Sequence, residues 1–302
     1  MLGTRKFAPV ALSARRYVMG GSVVVGLDGT GNSVPALHWG TAEAAARGLP
    51  LHLLHSWMSQ PLNLPIAQEA ANKKRYGAEV LGKAEAMALE LHPGISVTTE
   101  QVSEPAVDAL VDRSEQAALM VLGSRGHGAI AGFLLGSVSL NVLGHTKCPV
   151  VTVREEETAA YRRPEIVVGV QDPGTQGEVV LGFAFAAADA HHARVRAVRA
   201  WEPPAIVGVV PTAPTSSGRE PPVGEEKLLA DALMTWRAKF PDVDVVEQVE
   251  RGRVATVLLG ACSQAGLLVV GRRMHRSPML LGPAVFAVLH HAACPVAVVP
   301  RS

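Results

Sequence analysis

The sequence is poor in several things whose presence would set its class. It has only three cysteines in 302 residues, Cys148, Cys262 and Cys294. So sparse and odd a count suggests neither a disulfide framework nor a zinc site. Two of them, Cys148 and Cys294, stand before prolines and read as small buried residues, the common role of a free cysteine. Aromatic residues make up 4% of the chain against 48% apolar residues overall. The core is therefore expected to be built from Val, Leu, Ile and Ala. The formal net charge is +1, without the clustered positive charge that a nucleic-acid or anionic-membrane surface needs. No apolar run reaches the roughly 18 residues required to span a bilayer. The first residues carry Arg15 and Arg16 where a signal peptide would place its cleavage site, so the cytoplasm is the expected compartment, and residues 1–19 read as an N-terminal arm. A Walker A lysine pattern, a Gly-x-Ser-x-Gly elbow, an HExxH pair and an EF-hand loop are all missing.

What the sequence does contain, it contains twice. GGSVVVGLD (Gly20–Asp28) is matched by EIVVGVQD (Glu165–Asp172), and each precedes a segment of helical spacing, Val34–Arg47 and Glu178–His191. LPLHLLHSW (Leu49–Trp57) and ARVRAVRAW (Ala193–Trp201) both end in tryptophan. ALMVLGSRG (Ala118–Gly126) pairs with LLVVGRR (Leu267–Arg273), and CPVVTV (Cys148–Val153) with CPVAVV (Cys294–Val299). A duplication explains these matches. Its copies are assigned to residues 20–153 and 164–300, joined by the charged linker 154–163. Continuous apolar runs such as VVV and LLVV are what strands covered on both faces look like. Alternation of such strands with helices predicts, in each copy, a doubly wound open parallel sheet of five strands. Ligands of such sheets sit at the carboxyl ends of the strands, where the strand order reverses. Met58–Arg75 and the proline-rich Pro203–Gly224 read as loops.

In the first copy, Gly123, Ser124, Arg125 and Gly126 follow an apolar strand. Nine residues later Gly136 and Ser137 open the helical segment Val138–Gly144. Glycines allow close backbone approach to a ligand. A helix start offers free N–H groups and a positive dipole end to an anion, and the hydroxyls of Ser137 and Ser139 add donors. Asp28, ending the first strand, is placed to accept hydrogen bonds from a ribose or base. Asp108 and Asp112, at i,i+4 spacing, read as a solvated helix face rather than a catalytic pair.

GSRGHGAIAGFLLGSVS (Gly123–Ser139) resembles the ATP-binding signature of the universal stress protein family. GLDGTGNS (Gly26–Ser33) resembles that family's first-strand turn, and CPVVTV its closing strand. The resemblance covers about residues 20–300 and implies two adenine-nucleotide α-hydrolase-like domains forming a pseudo-dimer within one chain. It implies ATP, with or without Mg²⁺, as ligand. Leu27 and Asp28 would lie beside adenine and ribose, Ser56 would offer its backbone to the adenine, and Leu122 would pack on the base. Gly123, Arg125 and Gly126 would approach the phosphates, while Gly136, Ser137, Val138 and Ser139 would cradle them. His127 reads as a solvent-exposed loop histidine. The carboxylate that the family often carries five residues before the first motif glycine is replaced by Ala118.

The second copy departs from the pattern. Gln171 stands at the place of Asp28, Met274 at that of Gly126, and Pro283 at that of Ser137, removing an N–H and a hydroxyl. Its loop holds Arg272, Arg273, His275 and Arg276, read as a solvated charged loop. The sequence thus points to one nucleotide site per chain. The function implied is a nucleotide-dependent regulator with an unidentified protein partner, at most a slow ATPase; a nucleotidyl- or phosphate-transferring enzyme and a ligand-free scaffold remain the alternatives. The family commonly dimerises through its last strands, so Val150–Val153 and Val296–Val299 are expected to join edge to edge within the chain. Pairing of two whole chains as a homodimer is left open.

Overall fold

A computed structural model describes residues 21–57, 66–124, 136–154, 165–171, 175–202, 223–272 and 281–300. The N-terminal arm and the linker 155–164 lie outside them.

The first repeat runs β1 (Ser22–Leu27), α1 (Val34–Arg47), β2 (Leu51–Ser56), α2 (Ile66–Leu91), β3 (Val97–Val102), α3 (Ala106–Arg113), β4 (Ala117–Gly123), α4 (Ser137–His145) and β5 (Val150–Val153). The second runs β6 (Glu165–Gly169), α5 (Thr175–His191), β7 (Arg194–Trp201), α6 (Val223–Lys239), β8 (Val245–Arg251), α7 (Val254–Ala261), β9 (Leu267–Gly271), α8 (Pro283–His291) and β10 (Val296–Val299).

All ten strands form one sheet, ordered β3-β2-β1-β4-β5-β10-β9-β6-β7-β8. Each repeat contributes a parallel five-stranded half whose order reverses between its first and fourth strands. The halves meet where β5 and β10 pair antiparallel, Val296 opposite Thr152 and Val298 opposite Val150. The expected internal edge-to-edge joining is therefore present, and it removes two open strand edges from solvent.

The unbroken apolar strands are explained by helices on both faces. Successive strand residues point to opposite sides of a sheet. Val23 and Val25 accordingly belong to the core beneath α1, α2, α5 and α6, while Val24 belongs to the core beneath α3, α4, α7 and α8. Leu119 and Val121 alternate in the same way with Met120 and Leu122. Both cores run without interruption from one repeat into the other. Cys148 and Cys294 are buried in the second core as expected, and burial pushes the Cys148 thiol up to about 12. The outermost strands β3 and β8 alternate more weakly and stay half-exposed, which is why neither stands out in the sequence.

Two further contacts tie the halves. Glu43 of α1 is fully buried and takes Arg47 at 2.5 Å and His191 of α5 at 2.6 Å. Arg47 and His191 are the last residues of α1 and α5, so equivalent ends of the two repeats converge on one carboxylate. Beside it, the Arg47 guanidinium lies 5.1 Å from the centre of the Phe183 ring.

One stretch expected as loop is helical. Of Met58–Arg75, residues 58–65 are outside the described set, but α2 begins at Ile66. Ile66–Arg75 follows Pro65 and is rich in Ala, Gln, Glu, Lys and Arg, strong helix formers. Of Pro203–Gly224, residues 203–222 are likewise outside, and α6 starts at Val223. Among the described residues no helix is long and apolar enough to cross a membrane.

Candidate functional site

The reversal of strand order between β1 and β4 opens a cavity of about 580 Å³ at the carboxyl ends of the first repeat's strands. This lies within the range of small-molecule sites, roughly 300–1,000 Å³. Its inner wall is apolar, formed by Leu27, Leu54, Leu110 and Leu122; its rim is polar, with Asp28, Thr30, Ser137 and Ser139. Of the residues singled out in the sequence, Leu27, Asp28, Ser56, Leu122, Gly123, Gly136, Ser137, Val138 and Ser139 all line this one space. Arg125, Gly126 and His127 lie outside the described residues.

The rim is built by short-range chemistry. After β1 the chain turns at Gly29, whose φ of 78° is left-handed, the region that glycine enters without strain. The Asp28 carboxylate accepts the Thr30 N–H at 2.8 Å and the Thr30 hydroxyl at 2.7 Å. Thr30 in turn caps a 3₁₀ turn over Gly31–Ser33 by accepting the Asn32 N–H at 3.3 Å. Tyr76 of α2 donates to the Gly29 carbonyl at 3.0 Å. His55, fully buried, is bonded through Nδ1 to the Leu27 carbonyl at 2.8 Å and fixes the end of β1. Asp28 thus shapes its own loop as well as lining the cavity.

Opposite, α4 starts at the cavity wall with Gly136 as N-cap and no side-chain capping bond. Its first intrahelical N–H is that of Leu140, bonded to Gly136 O at 3.0 Å. The N–H groups of Ser137, Val138 and Ser139 therefore precede the first helical hydrogen bond, as helix starts require. A Cβ built on Gly136 would meet open space. At the far end of α4 a second device appears. Arg272, only 9% exposed, reaches across from the second repeat and donates to the Leu143 carbonyl at 2.9 Å. Arg154 does the converse, donating to Leu289 O and Ala292 O at the end of α8, at 2.9 and 2.6 Å. Each repeat thus places a cation at the negative end of the other's helix, where it is favoured. Burial lowers the pKa of Arg272, with its thiol neighbour Cys148 acting in the opposite direction.

One expectation needs correction. Arg272 is not part of a solvated loop; helix-end carbonyls that only tertiary packing brings near give it a buried partner. The remaining basic residues of that loop, and Met274, lie outside the described residues. Gly123 also has a reason internal to the protein for being glycine: a Cβ there would sit 2.2 Å from the Asn32 carbonyl oxygen, so the end of β4 packs directly against the β1–α1 turn. The Ser56 hydroxyl donates to the Glu104 carbonyl at 2.6 Å, tying β2 to the turn before α3, which leaves the backbone role expected of Ser56 untouched. Asp108 and Asp112, by contrast, are exposed on α3 as read.

Sequence reasoning missed Thr30, Asn32 and Ser33 as individual wall residues, although the Gly26–Ser33 turn was singled out. It also missed Leu54, Ala106 and Leu110. Leu54 and Leu110 carry no signal beyond being apolar.

The universal stress protein family model matches residues 19–154 and again 163–300. A universal stress protein of Mycolicibacterium smegmatis is 32% identical over 290 residues, covering 92% of this chain and 97% of its own length. One from Mycobacterium tuberculosis is 33% identical over 294 residues, covering 93% and 97%. Among solved structures, a universal stress protein from Archaeoglobus fulgidus superposes with a TM-score of 0.73 at 18% identity, covering 94% of this chain and 99% of that one.

Proposed function

The chain belongs to the universal stress protein family as a tandem of two such domains, and from that premise we propose that its first repeat binds one adenine nucleotide, ATP in the first instance, and that occupancy of this site makes the protein a nucleotide-dependent regulator in the stress response. The observation that carries the reading is the division of the first cavity into a leucine-walled slot and a rim of helix N–H groups and hydroxyls. An aromatic base gains from the first and a phosphate chain from the second.

In this reading Leu27, Leu54, Leu110 and Leu122 flank the base. Asp28, kept in place by Thr30, takes ribose hydroxyls. The N–H groups of Ser137, Val138 and Ser139, together with the two serine hydroxyls, hold the phosphates, and Gly136 leaves room for them. Gly123 shapes the rim from behind. Among the described residues Asp28 is the carboxylate lining the cavity, and no cluster of three metal-ligating side chains occurs. This donor set suits an Mg²⁺ that arrives on the phosphates rather than one resident in the protein.

The test is calorimetry with ATP and Mg²⁺, with GTP as control, beside identification of any nucleotide released when the purified protein is denatured. One ATP per chain is expected. Ser137→Pro is the informative variant, because Pro283 occupies the equivalent first helical position of α8 without preventing that helix. Asp28→Asn is preferred to Asp28→Ala because it keeps the acceptor that Thr30 uses. A stoichiometry of two would show the second repeat to be a working nucleotide site. No binding and no released nucleotide would leave an interaction scaffold.

A further inference from the structure

The second repeat has a cavity at the equivalent place, and its lining has changed in a consistent direction. Strand register aligns Gly26 with Gly169 and Leu122 with Val270. On that alignment Ser56 corresponds to Ala200, Ser137 to Pro283 and Ser139 to Val285. Three hydroxyls and one N–H have been lost, yet the space has not closed. A cavity of about 210 Å³ remains, walled by Val170, Leu181, Leu258, Val270 and Val285. Glycines Gly169, Gly177, Gly271 and Gly282 keep its rim thin. One main-chain acceptor at its edge is taken: the Gln171 carbonyl accepts from Arg199 at 2.8 Å, and Arg199 is paired with Glu225. Of the first-turn N–H groups of α8, those of Ala284 and Val285 remain, enough for one acceptor atom.

We propose that this cavity is a binding site for a small uncharged apolar molecule, one or two rings in size with at most one hydrogen-bond acceptor, and not a nucleotide. Size and chemistry both argue for it. Enclosed apolar cavities of roughly 150 Å³ take up benzene-sized molecules, and this partly open one of about 210 Å³ presents an apolar wall of similar extent. A phosphate chain would meet the Val285 side chain and the ring of Pro283 where the first repeat offers hydroxyls and a third N–H, and so would be held by fewer donors. An apolar ring loses nothing by that exchange. The proposal is independent of what the first repeat binds.

Indole serves as the probe, titrated into the full chain carrying ¹³C-labelled Leu and Val methyls. Saturable binding is expected, with a dissociation constant on the order of 0.1–1 mM for so small a ligand. Intermolecular NOEs should run to the Leu258, Val270 and Val285 methyls. Ala284→Trp, which fills the mouth from the partly exposed start of α8, should weaken binding by about tenfold or more. NOEs confined to Leu54, Leu110 and Leu122 would place the probe in the first repeat and overturn the proposal. So would unchanged affinity in a folded Ala284→Trp, or no saturable binding up to the solubility of indole. The NOE pattern of the parent protein decides the matter even if the variant does not fold.

Discussion

The two cavities occupy the same point of the same strand order and differ in volume and in their rims. In the first repeat hydroxyls and a full set of helix-start N–H groups surround a leucine-walled slot; in the second the hydroxyls are gone and one N–H is replaced by proline. The strands beneath are interchangeable: β4 and β9 are both buried apolar runs, and β1 and β6 both end in Gly followed by an apolar residue. The comparison teaches that framework and chemistry are separable in this fold. Core residues answer to packing on both faces of the sheet, which both repeats need. Rim residues answer also to what enters, and there the repeats diverge.

The largest expected effect tests whether the halves, so different at their rims, are energetically one body. Glu43→Ala leaves Arg47 and His191 without their shared buried carboxylate and should cost about 3–5 kcal/mol. Denaturant unfolding measures it, and a loss below about 1 kcal/mol would mean that the α1–α5 contact is marginal. Next comes conversion of the first rim into the second. Ser137→Pro with Ser139→Val removes two hydroxyls and one N–H from a bound phosphate chain. With two of these hydrogen bonds made to the phosphates, at roughly 1.5 kcal/mol or more for each bond to a charged group, nucleotide affinity should fall at least about 100-fold, as read by calorimetry. An unchanged affinity would remove α4 from the site.

A smaller effect concerns the arginines at the helix ends. Arg272→Met leaves the Leu143 carbonyl without its donor and should cost about 1–3 kcal/mol in stability. Nucleotide affinity should weaken with no change in stoichiometry, because Arg272 acts through α4 and not on the ligand. The smallest effect is alkaline. The Cys148 thiol is pushed up to about 12 from an ordinary 9.0 by burial, so the folded chain keeps a proton that the unfolded chain sheds. That contribution is complete below about pH 9 and is lost as pH rises toward 12, at up to about 1.4 kcal/mol per pH unit. Cys148→Ala should flatten the fall of Tm between roughly pH 9 and 10.5; parallel curves for the two proteins would contradict it.

Legibility in the sequence followed burial on both sides. β1, β4, β6 and β9 could be read because doubly covered strands carry unbroken apolar runs, and α1 because Val34–Arg47 has helical spacing. β3 and β8 were hidden because edge strands carry mixed residues. The rim of the first site was legible in Asp28 and in Gly136–Ser139, whose spacing and context carry a recognisable chemistry. Its wall was not, since Leu54 and Leu110 look like any other core leucine until strand order puts them at one opening.

The sequence by itself determined the duplication, the strand–helix alternation and the loss of two hydroxyls and one N–H from the helix start of the second repeat. All of these rest on residue type and spacing along the chain. Only the tertiary structure decided that Gly123 is glycine to clear the Asn32 carbonyl, that Arg272 is buried against the far end of α4, and that Arg47 and His191 share Glu43. Each of those depends on atoms from distant parts of the chain, or from opposite repeats, meeting at contact distance. No local pattern encodes that meeting; the packing of two helix layers on one continuous sheet creates it.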